Sequence, residues 1–536
     1  MSLGGSGQKK VIGLDFGTLS ARGVLIGIED GKVHSEVSYR YPHGVMDYSL
    51  PSGKLLSEGS ALAHPDDYIA ALFHCLRALV KDTAPGEIAG IGLDATTYSM
   101  VPCQSNGEAM ASLPAYYDEP MAYIKLWKHH CAQSQASRIQ QVQQQTGGIP
   151  AIARCGGKAS CELALPKLLE TCELAPALAE QTYRFCDLGE WLTWQLTGKP
   201  VNSMYSQGFK CFWAQDLGGP SSEAMELLRP GFSRVVYDKL LGHPAPYDRP
   251  CGKLTPKAAL LTGLEPGIPV AAPIGDGSAP GVYFCLNHPG TLAISYGTSI
   301  AMAFCTPELF DLTGINGVAL GGILPGLWGY DMGQPCAGDM LDWFVKRQLP
   351  AEYAGNTASD IHASLSRMAS ALPPWTNSLT VLDWWNGNRG ILNDMSLRGA
   401  VLGFSLSTVP EEIYCSMLQG IACGSRRILD HLHSSGICFD RIVVCGGIAE
   451  KNLFALQQYA NILGRDLLVS SRTQLAARSA AILAAIAAGV PMEQAGEAIA
   501  SEPLQPIEAD REHRQQYENI YQRWKRYHDC ISKVEQ

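Results

Sequence analysis

The sequence predicts an α/β protein of two related domains, and three observations predict it. A strand, a small glycine turn and a second strand occur together twice. Helical spacing alternates along the chain with short β-branched runs. The 536 residues are 46% apolar and only 17% charged, enough to bury several cores and unlike a disordered or coiled-coil chain.

In chain order, residues 11–15 read as the first strand, Phe16-Gly17-Thr18 as a turn and residues 21–28 as the second strand. Glu29-Asp30-Gly31-Lys32 is a hairpin signal, because Asp-Gly suits the positive φ of a tight turn. Residues 33–41 alternate as a third strand. Ile69, Leu72, Phe73, Leu76 and Leu79 give residues 66–81 a helical face, and residues 88–94 form another strand.

The pattern resumes with a strand over 291–295, the turn Tyr296-Gly297-Thr298-Ser299 and a strand over 300–304. A long helix over 411–433 follows, then a strand over 441–445 broken by Gly446-Gly447. A helix over 452–463, a strand over 467–470 and a final helix over 473–488 complete it. Pro266, Pro269, Pro273 and Pro280 set a boundary near 270–290. The expected division is a leader over 1–10, one domain over 11–285, a second over 286–500 and a helical tail over 501–536. Periodicity alone leaves open whether the two domains are related or merely alike.

A formal net charge of -10 gives no bulk attraction for nucleic acid or anionic membrane, so neither is expected as a partner. No stretch reaches the roughly 18 apolar residues needed to span a bilayer. The Ala-rich residues 480–490 read as a buried helix. The 17 cysteines contain no CxxC pair, which fits buried small apolar residues in a reducing, cytoplasmic compartment rather than a metal site.

Four short motifs carry chemistry. Asp15-Phe16-Gly17-Thr18 ends a buried strand with an acid, a glycine that lets backbone N–H groups approach a phosphate, and a hydroxyl. Asp15 suits Mg²⁺; an ordinary capping Asp is the plainer alternative. Gly297-Thr298-Ser299 repeats the small-hydroxyl turn, so the two could grip phosphates from opposite sides. Cys445-Gly446-Gly447 permits close approach of a ring or phosphate, and Asn452 is either an N-cap or an adenosine contact. Gly275-Asp276-Gly277 offers a carboxylate with space around it, the group a kinase needs to take a proton from an alcohol; a turn with a solvated Asp is the alternative. No Walker A, GxGxxG, HExxH or GxSxG match is present.

Taken together, the pieces resemble the FGGY family of carbohydrate kinases, and within it the ribulokinase group. The resemblance runs from about Val11 to Gly489 and rests on Asp15 to Ser20, Tyr41 to Asp47, Lys125 to His130, Leu382 to Arg389 and Cys445 to Asn452. It implies the two-domain actin/hexokinase-like ATPase fold of duplicated ribonuclease H-like domains, ATP and Mg²⁺, and phosphorylation of a ketopentose such as ribulose on its terminal hydroxyl. Asp276 would be the base and, with Asp15, would serve the metal. Asp15, Gly17, Thr18, Gly297, Thr298, Gly446, Gly447 and Asn452 would lie at the nucleotide. Ala95, Thr96, Trp127, Lys210, Asp276 and Asp331 would face the sugar.

Three departures fall in or near the implied sugar pocket. The ribulokinase pattern has Glu where this chain has Asp331, Ala-His where it has Gly277-Ser278, and a hydroxyl residue where it has Ile300. Other expectations are therefore a kinase for xylulose, glycerol or gluconate, and a non-catalytic actin-like nucleotide switch. The aromatic residues Trp127, Trp384 and Trp385 favour a sugar cleft over the switch, with core tryptophans as the alternative. A homodimer is compatible with either.

Overall fold

The strand Lys10–Phe16 is apolar at nearly every position and is buried on both faces. It is therefore an inner strand, and it organises the first of two seven-stranded sheets. The computed structural model describes residues 8–534, except 85, 354–356, 374, 376 and 377. Residues 1–7 of the expected leader lie outside the described residues, and Lys10, also assigned to the leader, already belongs to this strand.

Lys10–Phe16 pairs antiparallel with Ser20–Gly27, which pairs antiparallel with Val33–Arg40. On its other side it pairs parallel with Ile88–Ala95, followed by Pro269–Val270. The second sheet repeats this arrangement. Thr291–Tyr296 pairs antiparallel with Ile300–Thr306 and parallel with Arg441–Cys445. Trp328–Gln334 flanks the hairpin and Leu467–Val469 flanks the parallel strand. The two five-strand frames share one order and one set of directions, as related domains require. The third hairpin strand of the second frame, Trp328–Gln334, is absent from the sequence expectation because about twenty residues separate it from its partner instead of a tight turn.

The linear boundary at 285 does not divide the molecule in space. The helix Ala279–Cys285, from the first half, packs on the second sheet. The helix Leu475–Ala487, from the second half, packs on the first. The fit depends on absent side chains: a Cβ on Gly13 would lie 1.9 Å from the Ala477 carbonyl oxygen, and one on Gly92 1.9 Å from that of Ala480. Ala477, Ala481, Val11, Val24, Ala293 and Val443 thus share one core between the sheets.

The helix over 475–487 is not the last, as expected, and residues 501–536 do not form a simple tail. Met492–Ile499 follows it, and Gln505–Ile507 adds an edge strand to the second sheet. The helix Arg514–Val534 buries Tyr517, Tyr521 and Trp524 in the second-half core, with Trp524 Nε1 donating to the Val381 carbonyl at 2.9 Å. Most cysteines are buried and all are free thiols. No helix among the described residues is long and apolar enough to cross a membrane.

Candidate active site

Equivalent strand ends of the two sheets face one cleft of about 790 Å³. It contains Asp15, Gly17, Thr18, Trp127, Lys210, Asp276, Gly297, Thr298, Asp331, Gly446 and Gly447, eleven of the residues singled out from sequence.

Asp15 and Asp276 line it, and Asp94 is buried close by, near enough for the three carboxyls to influence one another. In the parallel register Asp15 stands beside Asp94, and Asp94 beside Ile274, two residues before Asp276. Burial pushes the Asp15 carboxyl up to about 7, against the pull of Arg22, whose Nη1 is 3.9 Å away. Burial likewise raises Asp276 to about 6, offset by N–H donation from Gly277 at 2.8 Å and hydroxyl donation from Thr97 at 3.3 Å. Asp94 is fully buried, neither of its oxygens has a hydrogen-bond partner among the described residues, and burial holds its carboxyl well above the usual range. Burial thus disfavours the charged form of all three, and a cation bound among their oxygens would favour it. Such oxygens are the donor set of a hard divalent cation.

The turns close the cleft from two sides. The Gly17 N–H donates to the Ser20 carbonyl at 3.1 Å, and Trp127 Nε1 donates to Thr18 Oγ1 at 3.3 Å. In the second turn the Gly297 N–H donates to the Ser299 carbonyl at 3.0 Å, and the N–H of Ala337 donates to the Thr298 carbonyl at 2.8 Å. A Cβ on Gly297 or on Gly447 would meet nothing within 4 Å, so backbone there is open to a ligand.

Lys210 and Asp331 come from different halves and form a buried ion pair at 3.1 Å. Asn316 Nδ2 donates to the other Asp331 oxygen at 3.4 Å. The expected donor and acceptor therefore hold each other, and a ligand would meet them as a unit.

Several expectations change. Ala95 and Thr96 do not reach the cleft: Ala95 ends a buried strand, and the Thr96 hydroxyl is paired with Ser99 at 2.9 Å. Thr97, the next residue, faces Asp276 instead. Asn452 lies outside the cleft; it caps the helix Leu453–Leu463 by accepting from the Ala455 N–H at 3.0 Å and donates to Ser366 Oγ. Trp384 is a fully buried core residue, and Trp385 packs against Trp343 and the backbone at Gly399. Lys125 and His129 are buried supports that share Glu170.

Of the run from Leu382 to Arg389, it is Arg389 that enters the cleft. Its Nη2 donates to Glu162 Oε1 at 3.0 Å across the two halves, and its guanidinium carbon stands 5.6 Å from the centre of the Trp127 ring. Burial works against its charge, which Glu162, Asp331 and Asp276 stabilise. Asp94 and Arg389 were missed for different reasons. An acid inside the apolar run 88–94 was a signal; nothing local marks Arg389 as the one residue of its run that crosses.

Residues 292–488 match the C-terminal domain of the FGGY family of carbohydrate kinases. The chain is 34% identical over 546 residues to a ribulokinase from Geobacillus thermodenitrificans, covering 99% of this chain and 96% of that protein. It is 36% identical over 488 residues to a ribulokinase from Mycolicibacterium smegmatis, covering 90% and 86%. Among solved structures, a xylulose kinase from Rhodospirillum rubrum superposes with a TM-score of 0.79 at 20% identity over 98% of this chain and 100% of that one. A Plasmodium falciparum glycerol kinase with ADP gives 0.73 at 14% identity over 96% and 97%. These two likenesses establish the shared fold.

Proposed function

The chain belongs to the FGGY family of carbohydrate kinases, and from that membership we propose that it transfers the terminal phosphoryl group of ATP to the terminal hydroxyl of a ketopentose, ribulose being the preferred acceptor. One observation carries the chemistry. Asp276 is a half-buried carboxylate, with no basic side chain bonded to it among the described residues, held by Gly277 and Thr97 where both halves meet. A carboxylate raised to about 6 by burial is still largely ionised at neutral pH and is a stronger base than an ordinary one. The identity of the acceptor rests on the whole-length likeness to ribulokinases.

In this mechanism the sugar hydroxyl lies against Asp276. Lys210 and Asp331 bind other sugar hydroxyls, and Trp127 forms the wall. The phosphates lie between Gly17-Thr18 and Gly297-Thr298, and the nucleotide extends along Gly446 and Gly447. Asp276 accepts the hydroxyl proton as the oxygen bonds to the terminal phosphorus. The bond from that phosphorus to the bridging oxygen breaks, and ADP leaves. Closure of the halves excludes water and limits ATP hydrolysis. Asp15 and Asp276 would hold Mg²⁺, with the partnerless Asp94 behind them. Such a cation would neutralise charge on the phosphates.

ADP release measured against a panel of sugars and polyols tests the proposal. L- or D-ribulose should give the highest kcat/KM, with glycerol, gluconate and hexoses poor. A clearly better non-ketopentose acceptor would refute the choice of sugar. No stimulation by any acceptor would favour a nucleotide switch.

A further inference from the structure

We infer that Tyr205 positions the base of the proposed reaction: its hydroxyl holds Thr97, and Thr97 holds one oxygen of Asp276 so that the other stays free for the acceptor hydroxyl. The inference rests on the reading of Asp276 as the base and adds a residue that acts on it without touching the substrate.

Three segments of the first half bring these groups together. Asp276 follows the short strand Ile274–Gly275, Thr97 lies just beyond the strand Ile88–Ala95, and Tyr205 stands in the first turn of the helix Met204–Lys210. The Tyr205 hydroxyl donates to Thr97 Oγ1 at 2.9 Å, and Thr97 Oγ1 donates to Asp276 Oδ1 at 3.3 Å. The Gly277 N–H donates to the same oxygen at 2.8 Å. Both donors thus fall on Oδ1. Oδ2 accepts no hydrogen bond among the described residues, on a side chain that lines the cleft.

A threonine hydroxyl has one proton and a free rotor. Alone, it can turn that proton toward any acceptor within reach. A donor bonded to its oxygen removes that choice and strengthens the bond that follows. Tyr205 is fitted to be that donor. Its ring is buried and packs on Phe209 with centroids 4.9 Å apart. Burial, with Asp331 and Asp276 near, holds the phenol well above its ordinary range, so it keeps its proton.

The backbone leaves room for this series of hydrogen bonds. A Cβ on Gly275 would lie 2.1 Å from Thr97 Oγ1 and 2.3 Å from Tyr205 Cε1. Gly275 has no positive φ, so space rather than backbone freedom calls for glycine there. In Gly275-Asp276-Gly277 one glycine admits the two hydroxyl residues, and the other donates beside them.

The test measures kcat and KM with ATP and ribulose, or the best acceptor of the sugar panel. The proteins are wild type, Tyr205→Phe, Thr97→Val, Thr97→Ser and the double variant Tyr205→Phe/Thr97→Val. ATP-induced thermal shift reports that each is folded. Tyr205→Phe should lower kcat by about three- to tenfold and Thr97→Val by about tenfold, with each KM changing less than about twofold. Thr97→Ser keeps the hydroxyl and should retain kcat within about twofold. The double variant should lose no more than Thr97→Val alone, because Tyr205 acts only through that hydroxyl. An unchanged kcat in Tyr205→Phe overturns the inference. Multiplied losses in the double variant overturn it too, by giving Tyr205 a role of its own. So does a raised sugar KM at full kcat, which would make Tyr205 a sugar contact, or a Thr97→Ser as impaired as Thr97→Val. Loss of fold in both Tyr205→Phe and Thr97→Val would make the pair scaffold and overturn it as well. Asp276→Asn, measured alongside, separates the two readings. Near wild-type turnover in it refutes Asp276 as the base; a large loss there, with unaffected Tyr205 and Thr97 variants, overturns the role of Tyr205 alone.

Discussion

The two halves present the same frame to the cleft with different chemistry at equivalent positions. In the first, the parallel register sets Asp15 beside Asp94; in the second, the same positions hold Ser295 and Cys445. The first turn spans Gly17 to Ser20, with a Cβ on Gly17 coming within 3.3 Å of the Ser20 carbonyl. The second, one residue shorter, leaves Gly297 open on its cleft side. One frame thus carries buried acids suited to a cation and a reacting hydroxyl, and the other carries neutral backbone suited to phosphate. Duplicated architecture does not enforce duplicated chemistry; the residues at the strand ends decide it.

The largest effect should come from the acidic half. Asp276→Asn should lower kcat by about 10²–10⁴, the usual worth of a general base, with ATP affinity retained. Near wild-type turnover would remove the acidic half from the chemistry. The neutral half is tested by Gly297→Val. Among the described residues, none but its chain neighbours comes within 4 Å of the new Cβ, so the fold should survive while KM for ATP rises about tenfold or more and KM for sugar changes little. Equal changes in both constants would mean that the halves do not divide the labour.

A subtler contrast concerns pH. Asp15 titrates near 7 in the folded chain against an ordinary 3.8, and Asp276 near 6. The folded state therefore binds more protons than the unfolded one between about pH 4 and 7, and stability from these groups, complete below about 3.8, is lost as pH rises through that window. Measured without nucleotide or metal ions, Asp15→Asn should gain stability relative to wild type as pH increases from 4.5 to 7.5. A pH-independent difference between the two melting temperatures would contradict the raised carboxyl. The smallest effect is expected from Asn452→Ala, which should cost about 1 kcal/mol of stability through the lost cap and leave ATP affinity within about twofold. A large loss of ATP affinity would return Asn452 to the nucleotide.

Much of this was legible in the sequence. Alternating and continuous apolar runs gave both hairpins, the helix Pro65–Val80 and the long helix Pro410–Ser434 nearly to their ends. The glycine turns and Gly275-Asp276-Gly277 were visible because glycine beside an acid or hydroxyl is a local pattern with a local reason. The misplacement at Ala95 and Thr96, one residue short of Thr97, was also local: alternation places side chains on opposite faces, but not which face of a strand end meets the cleft.

What the sequence determined by itself was every feature set by neighbours along the chain: element type, turn position and the candidate acid at each strand end. The tertiary structure alone decided which of those groups meet. Asp15 faces Asp94 only through the register of a parallel pair, Lys210 is neutralised by a residue of the other half, and the helix Leu475–Ala487 lies on the first sheet because Gly13 and Gly92 carry no side chain that would keep it out. Periodicity encodes one face of one element; charge pairing and burial depend on what is brought against that face, which no local pattern specifies.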